Sequence, residues 1–118
     1  MSEFATASRV PVINVGDCAN EHPSQALFDL FTIRSELAGR GRGIDGLRIA
    51  MVGDIRFGRT VHSLSRLLTR FSNVRVSLVS PSELRMPEAL VDEMRERGVD
   101  VVETDQLEVG IANVDIMY

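Results

Sequence analysis

A short polar stretch, NEHPSQ at residues 20–25, places His22 and Gln25 three positions apart at the predicted start of a helix. Pro23 suits the first turn of a helix, because its missing N–H is not needed there. Side chains at this spacing can project into the same space beyond the helix N-terminus. A neutral imidazole beside an amide is suited to polarising a carbonyl oxygen without a metal. The alternative interpretation is that His22 only caps the helix and that Gln25 is solvated.

A second candidate is the arginine in VGDIRFGRTVHSL, residues 52–64, where a predicted strand passes into a helix. Arg59 would begin that helix, where the helix dipole disfavours a positive charge. Its planar guanidinium can bind a carboxylate or phosphate through two hydrogen bonds, worth about 1.5–3 kcal/mol net. The position therefore indicates an anion-binding residue. The alternative is a surface ion pair, for example with Asp54, worth at most about 1 kcal/mol.

The other chemistry-bearing residues narrow the possible functions. His62 lies between apolar positions and is predicted to pack or cap, and Cys18 has no neighbouring base and is predicted to be a small, half-buried residue. One cysteine excludes an internal disulfide and a multi-cysteine metal site within this chain. All 13 basic residues are arginines, which excludes lysine-based Schiff-base chemistry and a lysine-bearing phosphate loop. The turn GDIRFGRT lacks G-x-G-x-x-G, which argues against dinucleotide binding.

The candidates are positioned by a chain that alternates between strand and helix patterns. The helix that begins at Pro23 is predicted to place Leu27, Leu30, Phe31 and either Leu37 or Ala38 near one face. In chain order, the predicted elements are a strand or extended segment at 10–15, the helix from residue 23, a strand at 47–53, a helix at 59–71, a strand at 74–80, a helix from 87 to about 98, a strand at 99–103, a short helix at 106–112 and a strand at 114–118.

This alternation predicts an α/β fold, with an open parallel sheet covered by helices on both faces, doubly wound and Rossmann-like. The glycine-rich AGRGRG at 38–43 is the predicted boundary between residues 1–38 and residues 44–118. In such sheets, ligands bind beyond the carboxyl ends of the strands, where the first helix points its N-terminus. We therefore expect Arg59 at the ligand-binding edge.

The composition and net charge of the chain limit the kinds of partner that it can bind. The chain has 118 residues, of which 44% are hydrophobic, enough for one domain with a core. A net charge of -4 argues against nucleic acid as the main partner. No stretch approaches the roughly 20 apolar residues of a membrane helix, and the N-terminus shows no secretion signal. We therefore expect no membrane partner and a cytoplasmic location.

Three stretches closely resemble the catalytic chain of the aspartate carbamoyltransferase family: GDCANEHPSQALFDLFTI at 16–33, LRIAMVGDIRFGRTVHSLSRLL at 47–68 and VSPSELRMP at 79–87. HPxQALxDLxTI is shared with the wider carbamoyltransferase family. GRTVHSL marks the aspartate branch, which disfavours ornithine specificity. The resemblance runs from about Val10 to Tyr118.

The resemblance implies transfer of the carbamoyl group of carbamoyl phosphate to the amine of L-aspartate, an early step of pyrimidine synthesis, with no metal or organic cofactor. It implies that His22 and Gln25 bind carbamoyl phosphate, with the catalytic hydrogen bond to its carbonyl oxygen made by His22. It implies that Arg59 binds a carboxylate of aspartate. The helix from Pro23 would join the carbamoyl-phosphate domain, ending at residue 38, to the aspartate domain, beginning at residue 44. The resemblance also implies a homo-oligomer, a trimer in the full-length family.

The chain departs from the family pattern in two ways. Ser24 stands where threonine is common, Arg56 where lysine is common and Phe57 where tyrosine is common. The larger departure is that the family's Ser-Thr-Arg-Thr phosphate loop and the residues lent across the trimer interface do not occur here, and neither does the second set of aspartate-binding residues.

We therefore expect an incomplete catalytic chain with little or no transferase activity alone, because two-sided clamping of the substrate supplies much of the rate in such reactions. The alternative is a non-catalytic carbamoyltransferase-like binding or interaction module. Retention of His22, Gln25 and Arg59 together favours the first hypothesis, since a module relieved of catalysis does not need all three.

Overall fold

The computed structural model describes residues 6–16 and 21–118, which contain one parallel four-stranded sheet with helices packed against it. The described elements are helix α1 (Pro23–Ala38), strand β1 (Arg48–Val52), helix α2 (Arg59–Leu68), strand β2 (Arg75–Val79), a 3-10 turn (Ser82–Leu84), helix α3 (Glu88–Glu96), strand β3 (Asp100–Thr104), the short helix α4 (Leu107–Gly110) and strand β4 (Ile116–Met117). The α/β fold class predicted from the sequence is confirmed.

The sheet has the strand order β3-β2-β1-β4. Ile49 of β1 lies opposite Val76 of β2 on one side and opposite Ile116 of β4 on the other. The middle residues of β1 are buried consecutively, as expected for a strand covered on both faces. Burial on both faces therefore explains the continuous apolar run from which this strand was predicted.

The main core lies on the face of the sheet where α1, α2 and α3 pack. Its fully buried members include Leu37 from α1, Leu64 from α2 and Met94 from α3. The opposite face is covered by α4, which approaches so closely that a Cβ on Gly110 would lie 2.2 Å from Cγ2 of Val79. Only glycine allows this approach without displacement of a neighbour. Helices therefore lie on both faces, as predicted, but α4 packs against β2 and β3 and leaves Val102 of β3 41% exposed.

Helix α2 follows its prediction closely. It begins at Arg59, and its predicted inward residues all belong to the core or pack against it. These residues are Val61, Leu64, Leu67, Leu68 and Phe71.

The face predicted for α1 is partly right. Leu37 is buried and Leu30 packs against the core, whereas Leu27 and Phe31 are exposed and Ala26 and Ile33 are buried instead. All these positions recur at helical spacing, and the packing of α1 on α2 selects those that are buried. Residues 10–15, predicted to be a strand or an extended segment, form no strand, and their apolar side chains are mostly exposed. A period-2 apolar pattern forms a strand only where a neighbouring strand offers its hydrogen-bonding groups.

The direction of chain progression reverses between β1 and β4. From β1 the chain continues outward to β2 and β3, and it then returns to β4 on the other side of β1. Pairing continues past β4, because the N–H of Val52 donates to the Tyr118 carbonyl at 3.0 Å. The carboxyl ends of β1 and β4 therefore meet at a topological switch point, where open α/β sheets form their binding crevice.

The glycine-rich segment after α1 is fixed to the sheet through Asp115. Arg42 donates to both carboxylate oxygens, at 2.6 and 3.2 Å, and the backbone N–H of Arg48 donates to Oδ2 at 2.9 Å. These bonds, above all the one from Arg42, lower the pKa of Asp115 well below its usual range. The segment predicted as a boundary, residues 38–43, is thus hydrogen-bonded through Arg42 to the residue that precedes β4.

None of the helices in the described residues is both long and apolar enough to cross a bilayer.

Candidate functional site

His22 caps the N-terminus of α1 with one of its two ring nitrogens. Nδ1 accepts the backbone N–H of Gln25 at 3.4 Å and lies 3.4 Å from the Ser24 hydroxyl. In a neutral imidazole only one nitrogen carries a proton, so a capping Nδ1 requires the proton on Nε2. The capping alternative considered from the sequence is therefore correct, but it leaves Nε2–H as a hydrogen-bond donor. Capping and carbonyl polarisation are compatible in this residue.

Gln25 is not simply solvated. Its amide nitrogen donates to Oδ1 of Asp29 at 2.8 Å, one turn further along α1. The other carboxylate oxygen, Oδ2, accepts the hydroxyl of Tyr118 at 2.7 Å. Burial raises the pKa of the Tyr118 phenol; a hydrogen bond with Thr60 opposes this rise, and Asp29 adds to it. Gln25 thus belongs to a polar network that reaches the carboxyl end of β4.

The turn that carries the second candidate is organised by Asp54. Its Oδ1 accepts the backbone N–H groups of Arg56 at 3.2 Å and of Phe57 at 3.0 Å, which closes an Asx-type turn. The chain then passes close to itself, because a Cβ on Gly58 would lie 2.7 Å from the Asp54 carbonyl oxygen. Helix α2 begins at the next residue, Arg59. The sequence GDIRFG therefore fixes where the arginine enters the helix.

The start of α1 is bound to α2 one turn beyond Arg59. Ser63, which is 6% exposed, accepts the backbone N–H of His22 at 2.9 Å through its hydroxyl oxygen. The same hydroxyl donates to the carboxylate of Glu21, which also pairs with Arg66. Residues four apart lie on the same side of a helix, so Arg59 and Ser63 share a side of α2. This connection brings the three predicted site residues to neighbouring helix N-termini.

The remaining candidates are structural or undescribed. Nε2 of His62 lies 2.9 Å from the carbonyl oxygen of Ile55. A carbonyl oxygen can only accept, so the imidazole of His62, in α2, donates to the turn that precedes this helix. This agrees with the packing or capping role predicted for it. Cys18 lies outside the described residues.

A cavity of about 350 Å³ lies between α1 and β4, and it is not lined by His22, Gln25 or Arg59. It borders the polar network through Asp29 and Tyr118, and three further charged residues line it: Glu36, Arg40 and Asp115. The predicted site residues therefore lie beside this cavity rather than within it.

Sequence reasoning missed three residues that position the candidates: Ser63, Asp29 and Tyr118. Asp29 had a local signal, because an acid four residues after Gln25 lies on the same side of α1. Ser63 and Tyr118 are 41 and 89 residues away from their partners, so only the tertiary structure brings them together.

Known proteins share both the sequence and the fold of this chain. Residues 1–35 match the family model for the aspartate/ornithine carbamoyltransferase carbamoyl-P binding domain. The chain is 58% identical over all 118 residues to the aspartate carbamoyltransferase catalytic subunit of Cellvibrio japonicus and 60% identical to that of Saccharophagus degradans. In both cases the match covers 100% of this chain and 35% of the relative.

Solved structures of aspartate transcarbamoylases share the fold of this chain. The catalytic subunit of M. jannaschii aspartate transcarbamoylase superposes with a TM-score of 0.88 at 42% identity, covering 99% of this chain and 37% of that one. The Trypanosoma cruzi enzyme in complex with N-(phosphonacetyl)-L-aspartic acid superposes with a TM-score of 0.86 at 37% identity, covering 99% and 38%. Over its whole length the chain is therefore similar to aspartate carbamoyltransferase catalytic subunits, and it spans about 35% of their length.

Proposed function

We propose that this chain supplies part of a site that transfers the carbamoyl group of carbamoyl phosphate to the amine of L-aspartate, giving N-carbamoyl-L-aspartate and phosphate. The observation that supports this most strongly is the hydrogen bond between the His22 backbone and Ser63, at 2.9 Å. It joins the helix start that carries His22 and Gln25 to the helix start that carries Arg59. Groups suited to two different substrates thus lie at adjoining helix N-termini.

His22 is the proposed catalytic residue. With Nδ1 occupied by the cap, Nε2–H can donate to the carbonyl oxygen of carbamoyl phosphate. That oxygen gains negative charge as the amine of aspartate attacks the carbonyl carbon, and the hydrogen bond strengthens as the charge develops. The carbon–oxygen double bond forms again as the carbon–oxygen bond to phosphate breaks, and the amine nitrogen passes a proton to the departing phosphate. Gln25 is proposed to bind carbamoyl phosphate beside His22.

Arg59 is the proposed aspartate-binding residue. It is the first residue of α2, so its positive charge is mildly disfavoured by the helix dipole and is stabilised by a bound anion. A guanidinium can bind a carboxylate through two parallel hydrogen bonds. This is the chemistry required to orient a dicarboxylic amino acid with its amine toward the carbonyl carbon.

The proposed activity requires more than the described residues. The chain spans about 35% of its relatives, and we propose that residues 1–38 close a carbamoyl-phosphate domain and that residues 44–118 open an aspartate domain. We further propose a homo-oligomer, a trimer in the complete enzyme, acting in pyrimidine synthesis in the cytoplasm. Alone, the chain is expected to bind weakly and to show little or no transfer.

The test is binding of N-(phosphonacetyl)-L-aspartate, the ligand bound in the Trypanosoma cruzi complex, measured by calorimetry on the 118-residue chain. Arg59→Ala and His22→Ala should each weaken binding at least about tenfold, since each removes a hydrogen bond to the ligand. Arg70→Ala is the matched control: Arg70 is exposed near the other end of α2, and its loss should leave binding unchanged. Unchanged binding in Arg59→Ala would remove the role assigned to that residue. Unchanged binding in both variants would favour the non-catalytic module.

A further inference from the structure

The amide of Gln25 has a defined orientation, because its nitrogen donates to the Asp29 carboxylate at 2.8 Å. An ionised carboxylate has only acceptor atoms, so it can face the amide nitrogen but not the amide oxygen. The hydrogen bond therefore turns Oε1 away from Asp29. The two ends of a glutamine amide have nearly the same shape and opposite hydrogen-bonding character, so this orientation decides which groups Gln25 can bind.

Asp29 is itself held from a distant part of the chain. Its second oxygen accepts the Tyr118 hydroxyl at 2.7 Å. Tyr118 directly follows β4. The network therefore joins α1 to the carboxyl end of β4 at the switch point.

Each carboxylate oxygen of Asp29 accepts one donor, and the two donors come from different elements. Rotation of the carboxylate would break both bonds together, so the second bond restrains the first. Asp29 and Tyr118 are only partly exposed, and competition from water is reduced accordingly. A glutamine without such a partner would present its oxygen and its nitrogen about equally to a ligand.

We propose that Asp29 is a positioning residue for Gln25, held in place by Tyr118, and that it presents the carbonyl oxygen of Gln25 to the carbamoyl group of the substrate. This inference rests on the proposed function, because it assumes that Gln25 contacts carbamoyl phosphate. Its consequence is selectivity: an amide oxygen accepts a hydrogen bond from the carbamoyl N–H₂, whereas a methyl group in the same place cannot donate one. Carbamoyl phosphate and acetyl phosphate differ in this one group, so they are the matched probes.

The positioning claim is tested by NMR on the 118-residue chain without ligand. Gln25 and Gln106 are its two glutamines, and Gln106 is exposed, so it serves as the internal reference. The side-chain amide protons of Gln25 should exchange with solvent at least about tenfold more slowly than those of Gln106, because one of them is bound to a carboxylate. In Asp29→Asn and in Tyr118→Phe this protection should fall. Glu36→Gln removes an exposed acid from the same cavity and should leave it unchanged.

The single tyrosine of the chain gives a second readout of the same network. The neighbouring carboxylate of Asp29 raises the pKa of Tyr118, so the absorbance titration of the phenol should shift to lower pH in Asp29→Asn. The other charged groups that line the cavity beside Tyr118 are Glu36, Arg40 and Asp115, and Glu36→Gln controls for a general change of charge. Gln25 amide signals that are the same in the wild type and in Asp29→Asn would overturn the positioning claim.

The selectivity claim is tested by binding. The wild-type chain should bind carbamoyl phosphate about tenfold more tightly than acetyl phosphate, and Asp29→Asn should bring this ratio toward one by weakening the carbamoyl compound. His22→Ala should weaken both, because both contain the carbonyl oxygen. A ratio that Asp29→Asn leaves unchanged would overturn the role of Asp29 in recognition. If neither compound binds the wild type, the proposed function of the site fails, while the amide spectrum still decides whether Asp29 positions Gln25.

Discussion

At the level of single residues, His22 caps a helix with one ring nitrogen and leaves the other available as a hydrogen-bond donor. Its Nδ1 caps α1 and thereby fixes the proton on Nε2, and its backbone N–H is held by Ser63. The histidine and glutamine could be predicted as candidates because their types and spacing are visible in the sequence. Their orientation could not, since it depends on Ser63 and Tyr118, which are distant along the chain.

A first prediction concerns the two buried serines of α2. Ser63→Ala leaves the His22 N–H and the Glu21 carboxylate without this partner, so we expect a loss of about 1–3 kcal/mol in the free energy of unfolding. Ser65→Ala is the matched control, because the Ser65 hydroxyl donates to the weak acceptor Sδ of Met51, at 3.3 Å. Urea unfolding measures both. Equal losses in the two variants would contradict the anchoring role of Ser63.

A second prediction concerns acid stability. The pKa of Asp115 is lower in the folded chain than in the unfolded chain, so its stabilising contribution is present above the ordinary carboxyl pKa of about 4 and is lost as the pH falls below that value. Asp115→Asn should therefore lower the free energy of unfolding by about 1.5–3 kcal/mol near pH 7, where both hydrogen bonds from Arg42 are intact. The loss should become progressively smaller below pH 4. Denaturant unfolding at pH 7 and pH 3 checks this. A loss of unfolding free energy that is the same at both pH values would contradict the stabilising role of the ionised Asp115 carboxylate.

At the scale of elements, the apolar runs and helical periods predicted every strand of the sheet and the helices between them. The errors have specific causes. Helical spacing predicted a face of α1 that includes Leu30 and Leu37, which pack in the core, but also Leu27 and Phe31. Contact with α2 buries Ala26 and Ile33 in place of Leu27 and Phe31. Periodicity indicates that a helix has an apolar face, but not which of two apolar faces meets a neighbour.

The entry into α2 gives the third prediction. In Gly58→Ala the new Cβ would lie 2.7 Å from the Asp54 carbonyl oxygen, so the turn must shift, at a cost of about 1–3 kcal/mol, and Arg59 moves with it. Gly43→Ala is the control, since a Cβ there meets no atom within 4 Å and should change stability by less than about 0.5 kcal/mol. Thermal unfolding of both variants provides the measurement. If Gly58→Ala is as stable as Gly43→Ala, the close approach is not a constraint.

At the scale of the whole molecule, α1 presents a second apolar face that the described residues leave uncovered. Leu27, Phe28 and Phe31 are 59%, 68% and 68% exposed. A contiguous exposed apolar surface of this kind promotes association in water. The relatives extend well beyond the length that this chain covers, because the match spans 35% of each.

The fourth prediction follows from this surface. The 118-residue chain should self-associate with rising concentration, and Phe28→Glu combined with Phe31→Glu should shift it toward the monomer, because charges replace the apolar side chains without disturbing the core. Phe57→Glu is the matched control: Phe57 is also 68% exposed, but it lies in the turn before α2. Sedimentation velocity measures the association of the wild type, the double variant and the control. Association that the double variant leaves unchanged would place the contact elsewhere.

If His22 and Gln25 form the carbamoyl-phosphate side of a site, a titration with that compound will perturb both side chains. Carbamoyl phosphate is added to the isotope-labelled chain while the imidazole and side-chain amide signals are followed, with His62 and Gln106 as references within the same molecule. We expect saturable shifts of His22 and Gln25, with His22 protonated on Nε2, while His62 and Gln106 stay unchanged. Shifts confined to the reference residues, or no saturable shift of His22 and Gln25, would contradict this role of the two residues.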